Sequence, residues 1–201
     1  MSNERVSPER ICIFCGSRIG HRPIYRMHAE RLARRLAERG IGIVYGGGSI
    51  GLMGVVADAA LDAGGEVIGV IPQVLMAREF AHPNLTRLHV VRTMHERKAL
   101  MSDLADGFVA LPGGFGTLDE LFEIVTWAQL GIHQKPVVLL NSADYYRHLL
   151  GSLSHAVEEG FLAPEHAGLL VVTSEPEEAV DALLTYRPTI TLPQWIGREE
   201  R

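Results

Sequence analysis

The chain is poor in cysteine. Its two thiols, Cys12 and Cys15, among 201 residues cannot build the disulfide framework that staples small secreted domains. They are spaced C-x-x-C, but they lie in the apolar run from Ile11 to Phe14 and its end, which reads as a buried strand. Residues three apart on a strand point to opposite faces, so the sulfurs diverge, and neither a redox pair nor half a zinc site is expected. No second Cys/His pair stands at finger-like spacing, and the nine histidines include no H-E-x-x-H, so no metal is expected. Positive charge is also short: 19 Lys and Arg against 24 Asp and Glu leave a net charge of −5, which argues against a nucleic-acid partner. No apolar run approaches the roughly 20 residues that span a bilayer. The stretch Met1–Pro8 lacks the apolar core of a secretory signal. A cytoplasmic protein with no membrane partner is expected.

What remains is an ordinary globular composition, 47% hydrophobic and 21% charged, enough for one filled core. A single domain is expected over 1–187, with a C-terminal tail at 188–201 carrying Pro188, Pro193 and a charged end; Trp195 either docks that tail or leaves it loosely held. Apolar strand-like runs at Ile11–Cys15, Ile41–Tyr45, Glu66–Ile71, Leu88–Val91, Phe108–Leu111, Pro136–Leu140 and Leu169–Val172 alternate with helical patterns. Those helices are expected near Pro23–Arg39, Leu52–Ala63, Met94–Leu104, 117–130, 144–159 and 176–185, with Pro72–Thr86 irregular. Strands apolar on both faces, alternating with helices, predict an α/β fold: a Rossmann-like, doubly wound parallel sheet with helices on both faces. Ligands bind such sheets beyond the carboxyl ends of the strands, so the turns after the first, second and fifth strands should converge on one crevice.

Those turns carry the chemistry. The most informative is Leu111-Pro112-Gly113-Gly114-Phe115-Gly116-Thr117-Leu118-Asp119-Glu120. Glycines let backbone approach a phosphate, and the unbonded N–H groups of a first helical turn point at it; a phosphate is expected on Gly113–Thr117. Glu120 sits about one turn further on, where a carboxylate beside a phosphate cradle suggests chemistry on a phosphorylated sugar. A capping box, with Thr117 as N-cap and Glu120 reaching back, explains those two residues without a ligand but not the three glycines together. Ser17, at the end of the first strand, is either a donor to a phosphate or sugar hydroxyl or a turn residue. The stretch Gly46–Gly54 matches G-x-G-x-x-G at 46, 48 and 51. The following strand ends without the carboxylate that would hold a ribose, which disfavours a dehydrogenase; a phosphate or ribose contact by Gly47 and Gly48 is expected instead. Arg97 and Lys98 either neutralise a phosphate or lie on a solvated helix face.

Cys-Gly-Ser at 15–17, Gly-Gly-Gly-Ser-Ile-Gly-Leu-Met-Gly at 46–54, Met-His-Glu-Arg-Lys at 94–98 and Pro-Gly-Gly-Phe-Gly-Thr-Leu-Asp-Glu at 112–120 occur in this order. The combination strongly resembles the Lonely Guy family of nucleoside 5′-monophosphate phosphoribohydrolases, many of them long mislabelled lysine decarboxylases. The resemblance covers about residues 10 to 185 and includes Leu75–Glu79 and Trp127–Gly131. It implies a catalytic pair, Arg97 and Glu120, and substrate contacts at Glu79, Lys98, Gly114, Phe115, Gly116, Thr117, Leu118, Asp119 and Thr126. It implies a nucleoside 5′-monophosphate substrate, no cofactor, and at least a homodimer with the base pocket near the subunit interface. Helical spacing puts Thr126 nearly two turns beyond Glu120, peripheral to the phosphate. The runner-up is a non-catalytic nucleotide-binding module on the same scaffold.

Overall fold

The protein is described from a computed structural model covering residues 8–76 and 80–188. The strands are β1 (Arg10–Phe14), β2 (Gly42–Tyr45), β3 (Val67–Pro72), β4 (Arg87–Val91), β5 (Gly107–Ala110), β6 (Val137–Leu140) and β7 (Leu170–Thr173). The helices are α1 (Pro23–Glu38), α2 (Gly51–Asp62), α3 (Met94–Leu104), α4 (Phe115–Gln129), α5 (Arg147–Glu158), α6 (Pro164–Ala167) and α7 (Pro176–Thr185). The sheet order is β4-β3-β2-β1-β5-β6-β7, and each pairing between these seven strands is parallel. This is the Rossmann-like arrangement that the strand–helix alternation predicts.

Side-chain alternation along β1 divides the core. Ile11, Ile13 and Cys15 face α1, α2 and α7, while Cys12 and Phe14 face α3 and α4. The two thiols are therefore on opposite sides of the sheet, both buried and free. Helix α1 shows why these segments fold as they do. Pro23 pre-sets the first turn, and His28, Ala29, Leu32, Ala33, Leu36 and Ala37 form one buried face at helical spacing. Gly40, at φ +71°, ends it in a conformation that side chains disfavour.

The chain runs outward from β1 through β2 and β3 to β4, then returns through α3 to β5 on the other side of β1. The order reverses between β1 and β5. That switch point leaves a crevice at the strands' carboxyl ends. Two boundaries depart from the sequence pattern in ways that matter. Helix α5 begins at Arg147 rather than 144, because residues 142–146 form a tight turn with Ala143 and Asp144 at positive φ. Helix α4 begins at Phe115 rather than 117.

Candidate active site

The crevice holds a cavity of about 240 Å³ walled by all three glycine-bearing turns. Gly16 and Ser17 come from the end of β1, Gly46 from the end of β2, and Gly114, Phe115, Gly116 and Thr117 from the start of α4. Backbone bonds lock the turns together. Gly16 N–H donates to Pro112 O at 3.1 Å, and Leu52 N–H donates to Gly16 O at 3.0 Å. Gly51, at φ +63°, comes so close to Ser17 that a Cβ there would collide with its backbone.

The earlier start of α4 removes the capping-box reading. Gly114 is the N-cap and makes no side-chain cap bond, and Thr117 is buried inside the helix. Glu120 is thus not recruited to close the helix end. The first helical bond runs from Leu118 N–H to Gly114 O, at 3.1 Å. The N–H groups before it have no acceptor within the helix, which is the geometry that receives an anion. The glycines there have different reasons. A Cβ on Gly113 would strike the Thr117 side chain, so packing excludes it. A Cβ on Gly114 or Gly116 would meet nothing within 4 Å. Packing within the fold therefore does not exclude a side chain at those two positions.

Arg97 and Glu120 line the same cavity. Arg97 is only 5% exposed, which overturns the solvated-face alternative for it. Its guanidinium donates to Gly46 O at 3.0 Å. A Cβ on Gly46 would occupy the place of that guanidinium nitrogen; the first glycine of the turn is the seat of the arginine. Both charges reach β1. Burial raises the Cys15 thiol far above its ordinary pKa, Glu120 pushes it further up, and Arg97 opposes.

Lys98 takes a structural place. Its ammonium lies 3.1 Å from Asp119 and 3.0 Å from Glu123, with the side chain 11% exposed. Burial lowers its pKa, the hydrogen bonds to Glu123 and Asp119 raise it, and the net direction is upward. The cation clamps α3 to α4, so the residues beside it, Arg97 and Glu120, are held across one cavity. Asp119 lines that cavity while paired to Lys98.

The other expected contacts are placed as follows. Gly47, at φ +79°, packs against Ile71 and Leu88, and its carbonyl accepts from His82 N–H at 3.0 Å. Gly48 O accepts from the Tyr45 hydroxyl at 3.0 Å. Leu118 packs on the α3–α4 side of the core. Phe115 lines the cavity and is 94% exposed. Thr126 is exposed on α4, outside the cavity lining. Glu79 and Trp195 lie outside the described residues. Met53, Leu75 and Met94 add apolar wall that the motifs alone do not single out. Among the described residues, no helix is long and apolar enough to cross a membrane.

Residues 53–183 match a family model described as "Possible lysine decarboxylase". Amino-acid decarboxylation normally runs through pyridoxal phosphate held by a lysine Schiff base. The chain has two lysines, Lys98 and Lys135. Lys98 is held by two carboxylates, and Lys135 by the carbonyls of Ser102 and Ala105 at 2.8 and 2.5 Å. These residues do not fit that cofactor. The chain is 51% identical over 180 residues to the probable cytokinin riboside 5′-monophosphate phosphoribohydrolase LOGL3 of Oryza sativa subsp. japonica, covering 90% of this chain and 85% of the relative. It is 48% identical to the cytokinin riboside 5′-monophosphate phosphoribohydrolase of Rhodococcoides fascians, covering 89% of this chain and 91% of the relative. Among solved structures, the molybdenum cofactor carrier protein of Chlamydomonas reinhardtii aligns with a TM-score of 0.65 at 23% identity, over 88% of this chain and 98% of that one. DNA processing protein A of Helicobacter pylori aligns with a TM-score of 0.58 at 19% identity, over 89% and 81%. These two likenesses are of fold alone.

The protein is a Rossmann-like enzyme of the phosphoribohydrolase class. The chain belongs to the cytokinin riboside 5′-monophosphate phosphoribohydrolase family, whose relatives match it over nearly its whole length.

Proposed function

We propose that the chain acts in the cytoplasm to hydrolyse the N-glycosidic bond of purine and cytokinin nucleoside 5′-monophosphates, AMP or N6-substituted AMP, to free base and ribose 5-phosphate. One observation carries this reading: the open helix N-terminus at Gly114–Thr117, the Arg97 guanidinium and the Glu120 carboxylate wall one cavity. The 5′-phosphate docks on the turn, and its binding energy fixes the ribose. As the C1′–N bond breaks, its electron pair leaves with the base and positive charge grows on the sugar. Glu120 meets that charge. It either takes the proton of an attacking water or attacks C1′ itself, to be released by water, as carboxylates do in glycoside hydrolysis. Arg97 holds the substrate and favours departure of the base. A guanidinium does not give up its proton in proteins, so the departing base takes its proton from water. No cofactor or metal enters the reaction.

We propose at least a homodimer. Met94 and Phe115 stay exposed on the cavity wall, Phe122 stays exposed on α4, and no residue of the amphipathic α5 is buried, which supports cover by a second copy.

The test is base release followed by chromatography. The wild type is expected to liberate adenine from AMP and none from adenosine. Equal rates on both would remove the phosphate site from the reading, and AMP left intact at high protein concentration would assign a nucleotide-binding module instead. Comparing AMP with its N6-isopentenyl form reads the base preference. A second result is expected of Gly46→Ala. Its methyl group takes the place of the Arg97 guanidinium nitrogen, and misplacement of a catalytic group by about 1 Å can cost a hundredfold. Turnover is expected to fall by about that factor in a protein that still folds. Normal turnover would show that Arg97 does not need this seat.

A further inference from the structure

We infer that Tyr145 and Tyr146 are positioning residues that aim the phosphate-binding turn, an inference that rests on the function just proposed. They lie beyond β6, far along the chain from the turn. The Tyr146 hydroxyl donates to Leu111 O at 2.6 Å, and the Tyr145 hydroxyl donates to Gly113 O, also at 2.6 Å. Between them, Pro112 O accepts from Gly16 N–H at 3.1 Å. Three successive carbonyls, 111 to 113, are therefore each held by a donor from outside the turn.

Holding a carbonyl fixes more than the oxygen. In a trans peptide the C=O and the following N–H point in opposite directions across one rigid plane. Tying Gly113 O to Tyr145 therefore turns the Gly114 N–H away from Tyr145, and Gly114 is the N-cap of α4 on the wall of the cavity. The residue most in need of this is glycine, which has no side chain to limit its own rotation.

The segment bearing the tyrosines is built for the purpose. Two neighbouring side chains must reach two different carbonyls, and their rings stand at 85° with centroids 4.8 Å apart. The chain makes that turn by placing Ala143 and Asp144 at φ +51° and +62°, a conformation costly for residues with a Cβ and one that clusters at functional sites. Asn141 holds it. Its Oδ1 accepts from Tyr146 N–H at 2.7 Å, and its Nδ2 donates to Asp144 at 3.1 Å. Arg22 donates to Ala143 O at 3.1 Å from α1's leading edge. Burial raises the Tyr146 phenol well above its ordinary pKa, so it remains a donor.

The experiment compares wild type, Tyr145→Phe and Tyr146→Phe. Steady-state kinetics on AMP are run well below each melting temperature, and ribose 5-phosphate binding is measured by calorimetry. Phenylalanine removes one hydroxyl and keeps the ring. For Tyr145→Phe the KM for AMP and the Kd for ribose 5-phosphate are expected to rise together by roughly three- to tenfold, what one hydrogen bond is worth, with kcat within about twofold. A residue that merely supported the fold would lower the active fraction and leave KM and Kd alone. Unchanged KM and Kd in Tyr145→Phe, or a fall in kcat alone, would overturn the assignment. Tyr146→Phe strips a buried carbonyl of its donor; if it does not fold, Tyr145→Phe decides by itself. The functional reading fails separately. No adenine from the wild type would sink that reading, while a weaker ribose 5-phosphate Kd in Tyr145→Phe would still support the positioning role.

Discussion

Glu120→Gln is expected to lower kcat on AMP by about two to four orders of magnitude, the range supplied by one positioned acid–base group, while the protein folds normally. Glutamine keeps the shape of the side chain and removes its charge, so it cannot meet a developing oxocarbenium ion or take a proton from water. The structure sharpens the expectation. Helix α4 is capped at Gly114, without a contribution from any side chain, and Thr117 lies inside the helix, so the substitution breaks no capping box. The check is adenine release per folded molecule, with circular dichroism and thermal unfolding alongside. Wild-type turnover in Glu120→Gln, or lost folding with unchanged activity per folded molecule, would end the assignment of this carboxylate.

The second large effect is expected at Arg97. Its guanidinium is buried beneath the cavity and bonded to Gly46 O at 3.0 Å. If it acts chiefly in the transition state, Arg97→Ala lowers kcat by more than it raises KM. A loss of about a hundredfold or more fits removal of one preorganised, buried charge. Arg97→Lys should recover only part of it. An ammonium is a point charge on a flexible stem, and it lacks the planar fork that could hold Gly46 O and the proposed substrate at once. Lys98 cannot take over, since Asp119 and Glu123 hold it. Steady-state kinetics of the three proteins on AMP test this. Near-normal kcat in Arg97→Ala would leave Glu120 as the one catalytic residue.

Most of the fold was legible because its signals are local. The seven apolar runs, the Gly40 stop and the run of buried residues in α1 each need only a few neighbouring residues to be recognised. Convergence of three glycine turns on one crevice also followed from sequence, since a doubly wound parallel sheet leaves its ligand site at the strands' carboxyl ends whatever the residues. The boundaries of α4 were less legible. Thr117-Leu118-Asp119-Glu120 satisfies the spacing of a capping box, yet the helix starts at Phe115, with the Thr117 side chain packed against Gly113.

By itself, then, the sequence determined the strand–helix order, the divergence of Cys12 and Cys15, and the residue types gathered at the crevice. Tertiary structure alone decided their partners. Gly46 serves Arg97 across 51 positions, Lys98 clamps Asp119 across 21, and Tyr145 braces Gly113 across 32. Periodicity and turn chemistry describe what a residue does to its neighbours along the chain. Which carboxylates hold a lysine and which carbonyl finds a phenol depend on how distant segments pack against one sheet, and one set of residue types permits several such pairings until that packing selects among them.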